Sequence, residues 1–343
     1  ITLLKLIFSW FAKQQFNEAQ VLGIMKITAL LVFMALFARA RPDGELTEAI
    51  GLYEKGKFSQ AVTLLQQARD SSPSEAEIRL WLGKAYIKTR AWDNAVREME
   101  KAVQIQPSNA QYHLWLGRAC GERASHSMFI IAIKWARRVI KEFETAREIA
   151  PEDLDVRFDL IEYYLNAPGM LGGGEDKAEA EAGAIAKLDS QKGYTASAII
   201  YSKDKKWDLA LKELNQSVID HPESVNACKD LADYLLDRKD FEGALKYAKK
   251  TLAMDGKSRR ARLIAAAARI RLRTELEEAE AVLKELIAGK LGNGNPDFEE
   301  VYYWLGEYHL AKGDKAKARE SFQSALAYNP EYSKAKDGLS RSK

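Results

Sequence analysis

Apolar residues recur along most of this chain at steps of three and four. They fall in segments of about a dozen residues, separated by short polar breaks that hold glycine, aspartate, asparagine or proline. The clearest stretch runs from Ala76 to Asn109. Its first half carries Trp81, Leu82, Gly83 and Tyr86; its second carries Trp92, Ala95, Met99 and Ala102. This spacing predicts two amphipathic helices. Gly83 and Ala95 are small where an antiparallel pair must approach closely, and Trp81, Tyr86 and Trp92 fill the wider gaps. Pro107 has no amide hydrogen and clashes with a preceding turn, so the second helix ends near it.

The pattern repeats. Pro73 to Pro107, Gly83 to Gly117, Ala61 to Ala95, Trp207 to Phe241 and Ala210 to Ala244 are each separated by 34 residues. A fixed period of this length describes stacked helix–turn–helix units. The last unit repeats the signature with Trp304-Leu305-Gly306, Gly313, Ala318, Phe322, Ala325 and Pro330. With small, aromatic and proline positions in phase, residues 42 to 332 resemble the tetratricopeptide repeat family, in its exported bacterial type. The resemblance implies an all-α, right-handed superhelical solenoid of antiparallel helix pairs. Units are expected at about 42–75, 76–109, 110–151, 152–190, 191–224, 225–258, 259–298 and 299–332, followed by a capping helix with Tyr332, Ala335 and Leu339 on one side. The third unit is ten residues longer than the period, since Pro151 follows Pro107 by 44 residues. The fourth is irregular and the seventh degenerate. Residues 41–343 are thus read as one solenoid of about eight units, with insertions at about 121–130 and 167–174.

The first forty residues depart from this pattern. Met25-Lys26 precedes a twelve-residue apolar run, Ile27 to Ala38, and then Ala38-Arg39-Ala40. A basic start, a run of that length and an Ala-x-Ala site describe a secretory signal peptide over 25–40, cleaved after Ala40. The run falls short of the ~20 residues that span a bilayer, and an uncleaved anchor is the alternative. Residues 1–24 read as a spurious upstream extension, with Met25 the true start; the alternative is an amphipathic helix that lays Leu3, Leu4, Ile7, Phe8 and Phe11 on a membrane surface. A periplasmic or secreted location is therefore expected; the alternative is an inner-membrane anchor facing the periplasm.

The chain has a net charge of +3, all of it contributed by the first forty residues, and the body from 41 onward is balanced. A balanced body has no overall pull toward nucleic acid, and no nucleic-acid partner is expected. Cys120 and Cys228 fall in units three apart, which do not touch in a stack. They are expected as unpaired, buried packing groups.

Candidate chemistry is sparse. Gly172-Gly173-Gly174 lacks the Gly-Lys-Ser/Thr of a phosphate loop, and Glu175 and Asp176 would repel an anion; a flexible connection capped by acids is expected. His113, His126, His221 and His309 show no metal-ligand spacing, and the carboxylates follow solvated helix faces. No enzymatic activity, cofactor or metal is expected. The family resemblance implies that first helices line a concave groove. Lys84, Lys88 and, in the slot equivalent to Lys84, Arg118 are then candidates to hold an acidic segment or a C-terminal carboxylate, although the asparagines of the family's carboxylate clamp are missing from the matching slots. The two insertions share one edge of the stack, so the start of the long helix near Met128 and Phe129 is expected to cover the loop carrying Met170 and Leu171. That edge, with Met170 and Leu171, is the other candidate surface. The function expected is a non-enzymatic, exported scaffold for a protein or peptide partner; the alternative is a membrane-anchored assembly factor of an envelope or secretion complex. A membrane partner is expected only if the N-terminal apolar segment is uncleaved.

Overall fold

The computed structural model describes residues 42–289 and 296–343, and the signal-peptide reading of 25–40 lies outside them. Two compact units divide at Thr47/Glu48. Of the first, Ile1–Thr47, only the opening turns of α1 are described; the second, Glu48–Lys343, holds everything below.

Within the described residues the chain is all-helical. The pairs are α1 (Pro42–Glu54) and α2 (Phe58–Ser71), α3 (Ala76–Lys88) and α4 (Trp92–Ile105), α5 (Ala110–Ser125) and α6 (Phe129–Ile149), α7 (Leu154–Asn166) and α8 (Glu175–Leu188). They continue with α9 (Ser190–Lys203) and α10 (Trp207–Asp220), α11 (Val225–Asp237) and α12 (Phe241–Met254), α13 (Arg259–Leu272) and α14 (Leu276–Ala288), α15 (Phe298–Ala311) and α16 (Lys315–Tyr328). The final helix, α17 (Ser333–Arg341), buries Ala335 and lays Tyr332 and Leu339 on the last pair.

The small residues do what their spacing requires. Ala61, Ala95, Ala210, Ala244 and Ala318 are fully buried where paired helices cross. A Cβ on Gly117 would stand 2.3 Å from Phe143, and one on Gly306 would stand 2.5 Å from Phe322. Each glycine lets the aromatic ring of its partner helix reach the backbone. The alanine-rich α13 buries Ala265, Ala266, Ala267 and Ala268 in a row, so it is enclosed on most sides rather than amphipathic. Cys120 and Cys228 are both free and fully buried. Burial pushes the Cys120 thiol up to about 12.

The turn inside most pairs is one motif used repeatedly. Gly56, Arg90, Lys205, Lys239, Arg273 and Gly313 all have positive φ, between 57° and 80°. In all six turns the residue that follows donates its amide back to the last turn of the first helix: Lys57 to Leu52, Ala91 to Tyr86, Lys206 to Tyr201, Asp240 to Leu235, Thr274 to Arg269 and Asp314 to His309, at 2.8–3.0 Å. This is a Schellman-type stop, which satisfies carbonyls the helix leaves open. Only the first and last of these turns use glycine.

A second recurring device braces units two to four. Six residues after the boundary proline, Arg79, His113 and Arg157 each reach back to that proline's carbonyl, at 2.8, 2.9 and 2.6 Å. Each also meets a glutamate on its own unit's second helix: Glu98 at 2.7 Å, Glu142 at 2.6 Å and Glu181 at 2.5 Å. The brace ties the boundary turn to both helices of the following unit.

The extra length of the third unit is an extended hairpin. Against α3 and α4, helix α5 gains three residues and α6 gains seven, while the turn keeps its three residues. By register, Ala136 matches Trp92, so 129–135 are two added turns at the start of α6.

The ends of Glu48–Lys343 meet. Phe298 stacks on Tyr328 with centroids 5.0 Å apart, and Phe58 approaches Tyr328 edge-on at 6.3 Å. A Cβ on Gly56 would stand 2.6 Å from Phe298. Lys88 and Asp297 form an ion pair at 2.9 Å, and Arg90 and Glu331 another at 3.3 Å. The turns of the first two units therefore rest on the last one.

Candidate partner-binding cleft

The first helices of units one to four face a common concavity. Tyr53 from α1, Lys84 and Lys88 from α3, Trp115 and Arg118 from α5, and Asp159 and Tyr163 from α7 line a cleft of about 800 Å³, closed at one side by Pro168 and Leu171. Four of the five residues singled out in the sequence thus share one cleft: Lys84, Lys88, Arg118 and Leu171. The fifth, Met170, lies outside it with 75% of its surface exposed.

The three cations are in different states. Arg118 is paired with Asp159, at 2.6 and 3.2 Å through Nε and Nη2, and lies over the Trp115 ring at 4.7 Å. Burial pushes the Asp159 carboxyl up, and Arg118 opposes that shift. Lys88 is committed to Asp297. Lys84 has no carboxylate within ion-pair distance among the described residues. Its Nζ sits 4.3 Å from the ring centroids of both Trp81 and Trp115. Burial, with the nearby Arg118 charge added, lowers its pKa to about 8. The indole faces supply a cation–π attraction that holds the ammonium in place.

Trp81 and Trp115 stand 34 residues apart, as do Lys84 and Arg118. The signal for this aromatic cage was therefore present in the repeat register. Asp159 and Asp297 had no comparable signal, since each pairs across unit boundaries that lack the 34-residue phase.

The insertion edge differs from expectation. The start of α6 does not cover the loop: Met128 and Phe129 are 77% and 76% exposed, and Met170 is equally open. Contact is made about two turns later. The Tyr163 hydroxyl donates to the Leu171 carbonyl at 2.6 Å and lies 3.1 Å from the Ala136 carbonyl. The added turns 129–135 carry the helix start past the loop, so the loop meets the point where an ordinary second helix would begin. Burial raises the Tyr163 phenol to about 12.

The glycine run is not a loose connection either. Residues 169–171 form a single 3₁₀ turn, and Gly174 donates to the Tyr164 carbonyl at 3.0 Å. A Cβ on Gly173 would fall 1.8 Å from the Ala167 carbonyl oxygen. The glycines let the loop fold back onto the end of α7. Lys177 donates to the Gly172 carbonyl at 2.8 Å, and Glu175 and Asp176 occupy the first turn of α8.

Tetratricopeptide repeat models match residues 46–110, 195–259, 229–296 and 299–332. The chain belongs to the tetratricopeptide repeat family. Residues 111–194, with the extended hairpin and the glycine loop, fall between the matched stretches, where the 34-residue phase is broken. Among solved structures, yeast Tom70 superposes with a TM-score of 0.57 at 15% identity, over 88% of this chain and 63% of that one. A thermophilic tetratricopeptide repeat protein of Thermus thermophilus gives a TM-score of 0.46 at 20% identity, over 57% of this chain and all of the other. These likenesses concern the fold alone. No curated protein matches the chain in sequence. Members of this repeat family are generally protein-interaction scaffolds, binding proteins or peptides.

Proposed function

We propose that this chain is a non-enzymatic scaffold that holds an acidic peptide segment, or the C-terminal carboxylate of a protein partner, in the cleft around Lys84. One observation carries the reading: Lys84 is a half-buried cation with no carboxylate of its own, fixed between two indole rings. Arg118–Asp159 and Lys88–Asp297 flank it as ion pairs, so Lys84 is the cation of the cleft lining that has no carboxylate at ion-pair distance among the described residues, while Glu122 and Glu162 also line the cleft. A carboxylate arriving there gains a charge-assisted hydrogen bond in a partly desolvated site. The Trp81 and Trp115 faces add apolar contact for the neighbouring peptide groups.

The test is fluorescence anisotropy on a panel of acidic decapeptides, each made as free acid and as C-terminal amide. Binding is expected to fall at least tenfold in Lys84→Met, with the folded state kept by the apolar stem. Equal binding by Lys84→Met and the parent would refute the assignment.

The proposal extends to location. The run Ile27–Ala38 followed by Ala38-Arg39-Ala40 supports export, with the scaffold working in the periplasm or outside the cell. Retention of the same run would make it an anchored assembly factor. N-terminal sequencing of the mature protein separates the two, with a start at Arg41 expected.

A further inference from the structure

We infer that the projecting start of α6 is a docking point for an anionic lipid surface. It is independent of the cleft and does not need the N-terminal apolar run. Three neighbouring side chains at the tip, Met128, Phe129 and Ile130, are 77%, 76% and 81% exposed. Phe129 and Ile130 sit on the two turns that α6 has in excess of α4, and Met128 is its N-cap; those turns carry the tip about 10 Å further along the helix axis.

The chain next to the tip is mostly basic, with Glu122 and Glu142 bounding the stretch and Glu100 of α4 beside it. From Arg123 to Lys141 the sequence holds five basic residues and no acidic one. Arg123 is paired with Asp93, and Arg138 with Glu142. Lys134, Arg137 and Lys141 remain exposed, with no carboxylate partner among the described residues. With Ile130 they form one stripe, at steps of four, three and four along a single helix face. Lys134 and Arg137 lie about 6 and 10 Å from Ile130 along the axis.

That order, an apolar tip followed by cations, matches a bilayer entered from its surface. The headgroup region is about 5–8 Å thick on each side, and interfacial helices bury their apolar part ~5–10 Å deep while Lys and Arg meet anionic lipid. A convex, protruding tip needs no complementary pocket. An acidic protein surface would match the three cations but would leave Met128, Phe129 and Ile130 without a function.

The experiment uses the full chain with Ile130→Cys carrying an environment-sensitive dye. Cys120 and Cys228 are fully buried and do not compete for the label. Vesicles of phosphatidylcholine alone and with about 30 mol % phosphatidylglycerol are compared, so that tethering by the N-terminal run is common to both. The expected result is a blue shift with the anionic vesicles only. It should weaken at least tenfold in Lys134→Gln/Arg137→Gln/Lys141→Gln, since each cation near such a surface contributes a severalfold effect. Those three side chains are exposed, so an unchanged thermal melt shows the variant folded. No shift with anionic vesicles, an equal shift with neutral ones, or a shift produced by polyglutamate in place of vesicles overturns the inference.

Discussion

Lys88 Nζ lies 2.9 Å from Asp297 Oδ1, across 209 positions of sequence. The pair joins the second unit to the last. Both side chains keep solvent contact, and ion pairs of that kind contribute ~1 kcal/mol or less. The aromatic seat beside it is the stronger link, because Phe298 is almost fully buried against Tyr328 and the Gly56 turn. Phe298→Ala is expected to cost about 3 kcal/mol in urea unfolding. It should also raise the radius of gyration in solution scattering, while Lys88→Met lowers stability by less than about 1 kcal/mol. Equal effects of the two would show that the seat does not hold the ends together.

The shared turn makes a second prediction. Lys205 and Lys239 occupy left-handed positions, at φ 60° and 66°, that Gly56 and Gly313 fill elsewhere. A side chain costs about 1–2 kcal/mol in that region, partly offset by the greater unfolded-state freedom of glycine. Lys239→Gly should therefore raise stability by roughly 0.5–1 kcal/mol, and Lys205→Gly should do the same. The reverse change, Gly56→Ala, combines left-handed strain with the collision at Phe298 and should destabilise by more than either gain. Thermal melts of the three variants check the order.

The cost of losing an ion-paired glutamate depends on its burial. Glu181 is 5% exposed and receives Arg147 at 2.6 Å and Arg157 at 2.5 Å. Its removal leaves two guanidinium groups uncompensated at a unit boundary, so Glu181→Ala should cost about 3 kcal/mol or more. The pair of Arg262 with the largely exposed Glu285 serves as control, and Glu285→Ala should cost less than about 1 kcal/mol. Denaturant unfolding of the two variants under one set of conditions tests the contrast.

Lys84 sets the pH dependence. In the free protein its ammonium loses its proton near pH 8, below the ordinary value of 10.5. Between those values the unfolded chain binds more protons than the folded one, so this residue makes stability rise as pH increases from about 8 toward 10.5. Carboxylate binding has the opposite sign, because it requires the charged amine. Peptide affinity should be level below about pH 7 and weaken as pH rises through about 8, up to about tenfold per unit. In Lys84→Met that pH dependence should vanish. Affinity that stays level from about pH 6 to 9 in the parent protein would show that Lys84 does not receive the ligand.

The repeat register made the units, their close-packing alanines and glycines and the terminal cap legible, because each depends on contacts within a unit or between adjacent ones. The close approach at Gly83 and at Ala95 follows from spacing alone, whereas the ring that Gly117 admits, Phe143, lies beyond the ten added residues that break the phase. The groove positions Lys84, Lys88 and Arg118 were also readable, since the register assigns a face to every helical residue. Their states were not. Whether a lysine is paired, stacked or free depends on partners such as Asp297, brought in by the accumulated rotation of eight units, and no local pattern encodes that sum. The exposed tip at Phe129 had the same origin. Apolar spacing announced a longer helix but not where its neighbours ended, and only the packed arrangement decided that its first residues would stay exposed.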